Sequence, residues 1–160
     1  MTAVAQRRIV PVLALAMRLY LGGLFIAACW HKIAHPAAFA LDVATYQLLP
    51  LSLVNPFALA VPWIELWVGV LLVAGVRVRA AALVTAVLLA MFMVALSYAL
   101  GKGLDLSCGC FASQSAAKHD PISYKTMLRD SAWLLLGLFV LFFDKEPIGV
   151  EKLFRLRTAS

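Results

Sequence analysis

Long apolar runs separated by brief polar punctuation make up most of the chain. Four runs, Ile9–Trp30, Pro56–Val76, Arg79–Leu100 and Met127–Phe143, carry few charges. A helix that crosses a bilayer needs about 20 apolar residues, with a range of about 17–25. Lipid offers no water to backbone N–H and C=O groups, so each run predicts a helix that satisfies its own backbone. The fourth run is the shortest. Asp120 followed by Pro121 reads as an N-cap with proline at the first helical position, which extends that span to 121–143. Between the first two runs, Phe39, Val43 and Tyr46 fall at i, i+4 and i+7, bracketed by Pro36 and Pro50. That spacing predicts a short amphipathic helix at the membrane interface. The fold expected is all-α: a transmembrane four-helix bundle forming a single integral membrane domain over 1–160. Its spans lie at about 9–30, 56–76, 79–100 and 121–143. Residues 101–120 form a polar loop and 144–160 a tail.

Composition strengthens this reading. Hydrophobic residues make up 64% of the chain and charged residues 14%, against roughly half and a quarter in soluble domains. A disordered chain and a disulfide-dense secreted mini-protein are excluded, and a soluble enzyme would lack the polar surface to cover a globule. The formal net charge of +6 does not point to nucleic acid, because the basic residues interrupt apolar runs instead of forming a stripe. The first run ends in Cys29-Trp30-His31-Lys32, with no small-residue cleavage site, so it reads as a retained span and not a signal peptide.

The placement of Lys and Arg sets the expected orientation. Arg7, Arg8, Arg77, Arg79, Lys145, Lys152, Arg155 and Arg157 fall on one side. Lys32, Lys102, Lys118, Lys125 and Arg129 are spread over the two longer loops of the other. Both termini are therefore expected in the cytoplasm of a bacterium, with the chain in the inner membrane and the long loops on the periplasmic side, where disulfides persist.

Two charges interrupt the spans. Arg18 lies in the first, roughly 13–14 Å from its inner end, and Glu65 in the second, roughly 16–17 Å from the same face. Equal depth on antiparallel neighbours predicts a buried Arg18–Glu65 pair. The pair either fixes helix register or marks a polar spot for a quinone head group or a proton path. Trp63 and Trp67 flank Glu65, as lipid-facing or core residues or as walls around a planar ligand. Arg129, near the outer end of the fourth span, is a candidate for an anionic head group. Gly22 and Gly23 predict close helix contact.

The candidate chemistry is sulfur. Cys108 and Cys110, separated by Gly109, follow the third span, and Cys29 closes the first, so all three thiols are expected at one membrane face. Cysteines one residue apart can approach the Cα separation a disulfide tolerates, about 4.4–6.8 Å, but the small ring is strained. Strain favours a bond that exchanges over a permanent staple. Cys29 is either a relay thiol or a small apolar residue. A metal reading uses Cys108 and Cys110 with His31, His35 and His119, a donor set suited to zinc or Cu(I), although the spacing matches no closed tetrahedral pattern.

These residues resemble the methylamine-utilisation protein MauE family, within the broader DoxX-like group of four-helix membrane proteins. The resemblance covers roughly residues 12–143. It rests on Arg18, Gly22, Phe25, Lys32, the Pro36–Phe39 stretch, Tyr46–Pro50, Pro62, Glu65, Asp105–Phe111 with Cys108-Gly109-Cys110-Phe111, and Arg129-Asp130. Ala112 stands where the pattern leads one to expect glycine. The resemblance implies extracytoplasmic thiol–disulfide exchange, tied in the methylamine system to maturation of a disulfide-rich dehydrogenase subunit. It also implies quinone coupling, as in DoxX-like relatives linked to sulfur oxidation. The expected assignment is a thiol–disulfide oxidoreductase working with a periplasmic thioredoxin-like or disulfide-bearing protein, and able to form a homo-oligomer. The rivals are a thiophilic metal carrier and a non-catalytic assembly scaffold.

Overall fold

The computed structural model describes residues 2–103 and 124–144. The described residues are all helical apart from short connections: α1 (Thr2–Ala34), α2 (Pro36–Thr45), α3 (Leu51–Ala74), α4 (Val78–Gly101) and α5 (Tyr124–Phe143). Four stretches are long and apolar enough to cross a membrane, Pro11–Ala34, Leu51–Ala74, Val78–Gly101 and Tyr124–Phe143. The protein is thus a multi-pass membrane protein with an all-α fold.

The connections show why each helix stops where it does. Pro36 sits at the first position of α2, where its missing N–H costs nothing, and the chain bends at His35. Gln47 takes a positive φ of 52° beyond the end of α2, and extended Pro50 opens α3. Gly75 ends α3 in the left-handed region at φ 72° and returns its N–H to the Leu71 carbonyl at 3.0 Å. Arg77, at φ 46°, then turns the chain into α4.

Helices outrun the hydropathy-based spans. α3 begins at Leu51, not Pro56, and carries Pro56 and Pro62 inside it. Pro56 lies in the second turn and Pro62 deeper, so each removes one backbone bond, to the carbonyls of Ser52 and Ala58. Likewise α1 continues past Trp30 to Ala34. The expected start at Asp120 and Pro121, the loop 104–123 and the tail from 145 onward lie outside the described residues.

In the bundle α1 packs on α3 and α5, and α4 packs on α5 and α3, while α2 folds over α3. One half is closely packed. Leu21, Val68, Leu72, Ala82 and Val140 form a buried apolar cluster. There α1 and α3 touch backbone to backbone: a Cβ on Gly22 would lie 2.9 Å from the Gly69 carbonyl, and one on Gly69 would lie 2.9 Å from the Gly22 carbonyl. Gly22 thus makes the close contact expected of it, whereas Gly23 faces open space. The outer surface remains apolar, with Trp67, Leu83, Val94 and Leu135 exposed, as suits lipid rather than water.

Candidate functional site

The half of the bundle near α2 is built differently. Here the helices leave a cavity of about 440 Å³. Phe25 and Ala28 of α1, Val61 of α3, Phe92 and Ala95 of α4 and Trp133 of α5 contribute to its mainly apolar wall. α2 covers one side with Phe39, Val43 and Tyr46. The amphipathic helix expected from their spacing therefore exists, but its apolar stripe faces this cavity.

Charged side chains gather at the same wall. Lys32, near the end of α1, donates to both carboxylate oxygens of Glu65 on α3, at 2.7 and 2.9 Å. Its ammonium also lies 5.0 Å from the centre of the Phe39 ring. Asp42 of α2 and Asp130 of α5 are buried and line the cavity. Arg129 donates from Nε to Oδ1 of Asp130 at 3.2 Å, and its guanidinium stacks 4.8 Å above the Trp133 ring. Burial pushes the Tyr46 phenol up to about 12, helped by the nearby Asp42 and Asp130 carboxylates. Tyr46 is thus a neutral phenol at ordinary pH.

Arg18 occupies the other half. It reaches the Asp144 carboxylate at 3.3 Å, and both side chains are buried. The expected Arg18–Glu65 pair does not form. Gly22 packs on Gly69 and Val73, and Gly69 packs on Ile26. In an antiparallel pair that match puts Arg18 near the level of Gly75 and Glu65 near that of Ala28, roughly ten residues or about 15 Å apart. Ile9 and Val76 do not lie at one level, because α1 runs on past the level of the α3–α4 turn. Asp144 has its own carboxyl held above the ordinary range by burial, against which Arg18 pulls it down.

Other expected site residues are distributed unevenly. Glu65 lines the cavity, and Arg129 joins it through Asp130. Trp63 and Trp67 do not wall it: they are 53% and 65% exposed on the outer apolar surface. They flank Glu65 in sequence, but helix rotation turns them away from it. Cys29 is 1% exposed, and its thiol donates to the Ile26 carbonyl at 3.1 Å. His31 and His35 bring their rings to 5.2 Å. Among the described residues no three His, Cys, Asp or Glu side chains converge as a metal-binding group. Cys108, Cys110 and His119 lie outside the described residues.

The cavity adds Lys32, Asp42, Tyr46 and Asp130, which sequence reasoning did not place at a site. Asp42 had left a signal. It is the sole charged residue of α2 and falls on the stripe of Phe39, Val43 and Tyr46. Asp144 had left a weaker one, an acid directly after the fourth span.

Residues 10–143 match the model of a family described as "Methylamine utilisation protein MauE". The chain belongs to the MauE family. It is 38% identical to the methylamine utilization protein MauE of Methylophilus methylotrophus, over 88% of this chain and 74% of that protein. It is 32% identical to the protein of the same name from Paracoccus denitrificans, over 81% of this chain and 69% of that one. With the Methylorubrum extorquens protein it shares 31% identity over 79% of its own length and 62% of the relative's. No solved structure matches the chain. The matched range takes in all four apolar spans, Arg18, Lys32 and Glu65, and the Cys108–Cys110 segment. A MauE fold is thus, for this chain, a helical bundle closed at one end and hollow at the other.

Proposed function

We propose that this MauE-family protein serves methylamine utilisation as a membrane component for extracytoplasmic thiol–disulfide exchange, with Cys108 and Cys110 as the exchanging pair. The family match carries the reading. The course of the helices supports it: α4 ends at Gly101 and α5 begins at Tyr124, so the connection bearing both cysteines leaves and rejoins the bundle at the hollow end. The positive-charge asymmetry supports placing that end on the periplasmic side of a bacterial inner membrane.

The exchange balances without an added reagent. One thiolate of the pair attacks a disulfide of a thioredoxin-like or substrate protein, and a mixed disulfide forms as a partner thiolate leaves. The second cysteine then attacks its neighbour's sulfur and releases the partner as a dithiol. The loop ends oxidised and the partner reduced by two electrons; the reverse sequence oxidises the partner. Cys29, enclosed in α1, is not required by this balance.

A lipid-soluble quinone would supply a two-electron sink for the loop when bound. The residues fit such a group, because the cavity joins a long apolar wall to hydrogen-bonding side chains at Lys32, Glu65, Asp42 and Tyr46. Arg18, Trp63 and Trp67 are no part of that wall.

The test traps the thiols of intact cells with a membrane-impermeant maleimide and follows oxidation of a partner protein. Cys108→Ser and Cys110→Ser are expected to abolish exchange, and the mixed disulfide is expected to accumulate in one single variant. Unchanged exchange in both variants, or thiols labelled only after the membrane is breached, would refute the reading.

A further inference from the structure

The cavity near α2 has a side opening. Met91 and Val94 of α4 line it, yet they are 42% and 68% exposed on the apolar outer surface. Leu48, also exposed, lies on the rim from the α2–α3 connection. A mouth framed by exposed aliphatic side chains faces hydrocarbon, not water. A molecule reaching the cavity through it arrives from the bilayer.

The interior states what kind of head group is admitted. One cation, Lys32, faces three carboxylates, Asp42, Glu65 and Asp130, among the residues that line it. Lys32 is already engaged by both oxygens of Glu65. Arg129 reaches Asp130 from outside the lining, so that among the described residues two positive charges stand against three negative. An anionic head, such as a fatty-acid carboxylate or a lipid phosphate, would meet no surplus of positive charge there and would be repelled in a low-dielectric setting. A neutral head with carbonyl or hydroxyl oxygens meets instead the neutral Tyr46 phenol, the Lys32 ammonium and carboxylate acceptors. The volume, about 440 Å³, is that of a small-molecule site.

We infer that the cavity is a laterally entered binding site for a lipid-soluble molecule with an uncharged, oxygen-bearing head, and that its carboxylate-rich wall excludes anionic amphiphiles of equal tail length. The inference refines the quinone part of the proposed function, but binding does not depend on the cysteines. Trp133 is the reporter, because it is the tryptophan that lines the cavity.

The experiment uses full-length protein carrying Trp30→Phe, Trp63→Phe and Trp67→Phe in phosphatidylcholine nanodiscs, titrated with a decyl-tailed benzoquinone. Trp133 fluorescence is expected to fall saturably. Ala95→Phe, which fills the cavity, is expected to weaken binding at least tenfold, with helicity checked by circular dichroism. Decanoate is expected not to compete in the unfilled cavity, which tests head selectivity even if the filled variant misfolds. Linear quenching without saturation overturns the site, and equal competition by decanoate overturns the charge selectivity. Repeating the titration in Cys108→Ser, Cys110→Ser protein separates the two proposals. Saturable binding there, with thiol exchange absent from native protein, supports the site and removes only the exchange reading. Binding lost with the cysteines would overturn the site as drawn.

Discussion

Two ion pairs among the described residues, Arg18–Asp144 and Lys32–Glu65, do opposite things with similar chemistry. Arg18 and Asp144 are buried, and the nearby half of the bundle packs through Leu21, Leu72, Val140 and the Gly22–Gly69 contact. Lys32 and Glu65 meet at shorter distances, but beside a cavity that opens through Met91 and Val94. An ion pair enclosed on every side can only hold its helices in place, since removing one charge strands the other in a medium that cannot solvate it. A pair on a cavity wall keeps one side available to whatever enters. The lesson is that an ionisable residue in a membrane span is a functional candidate by default, but the space beside it decides which kind.

This contrast can be broken experimentally. The largest effect is expected from Arg18→Met, which leaves Asp144 buried without its cation. It should cost about 3–5 kcal/mol, measured by unfolding in mixed micelles with increasing dodecyl sulfate. A loss within error would mean that water reaches the sealed end.

Gly22→Ala comes next. Its methyl would press on the Gly69 carbonyl, and separating α1 from α3 should cost about 1–3 kcal/mol. Gly23→Ala, one residue away, meets nothing within 4 Å. In the same titration it should be neutral or gain up to about 1 kcal/mol from helix propensity.

Lys32→Met should cost less than Arg18→Met, about 1–2 kcal/mol, because the cavity gives Glu65 another environment. It should also change quinone binding, which Arg18→Met should leave alone once folding is allowed for. Equal destabilisation by the two variants would erase the distinction between the halves.

The smallest signal is a titration. Tyr46 ionises near 12 in the folded protein and near 10 when exposed. The unfolded chain therefore loses its proton first as pH rises. The stability tied to the neutral phenol is fully present below about pH 10 and is lost as pH climbs to about 12. Absorbance at 295 nm, compared with Tyr46→Phe, should show the late step, and ionisation near 10 would mean that the α2 end is open to water.

Much of the fold was legible along the chain, and the reasons are local. The four spans follow from hydropathy because lipid cannot satisfy a backbone. Pro36 and the Phe39–Val43–Tyr46 stripe announced α2, and Gly22 announced a close contact. The site is legible in part: Glu65 stands out as a charge inside a span, but hydropathy does not identify Lys32 as its partner. Trp63 and Trp67 looked like site residues because they are near Glu65 in number, whereas neighbours on a helix face are three or four apart.

What the residues alone determine here is that the chain is helical, where it crosses lipid, and which groups are too costly to leave unpaired there. Pairing, hollow and mouth belong to the tertiary structure. They depend on how far one helix slides and turns against the next, and that is set by backbone contacts such as Gly22 against Gly69, distributed across segments that hydropathy treats as interchangeable.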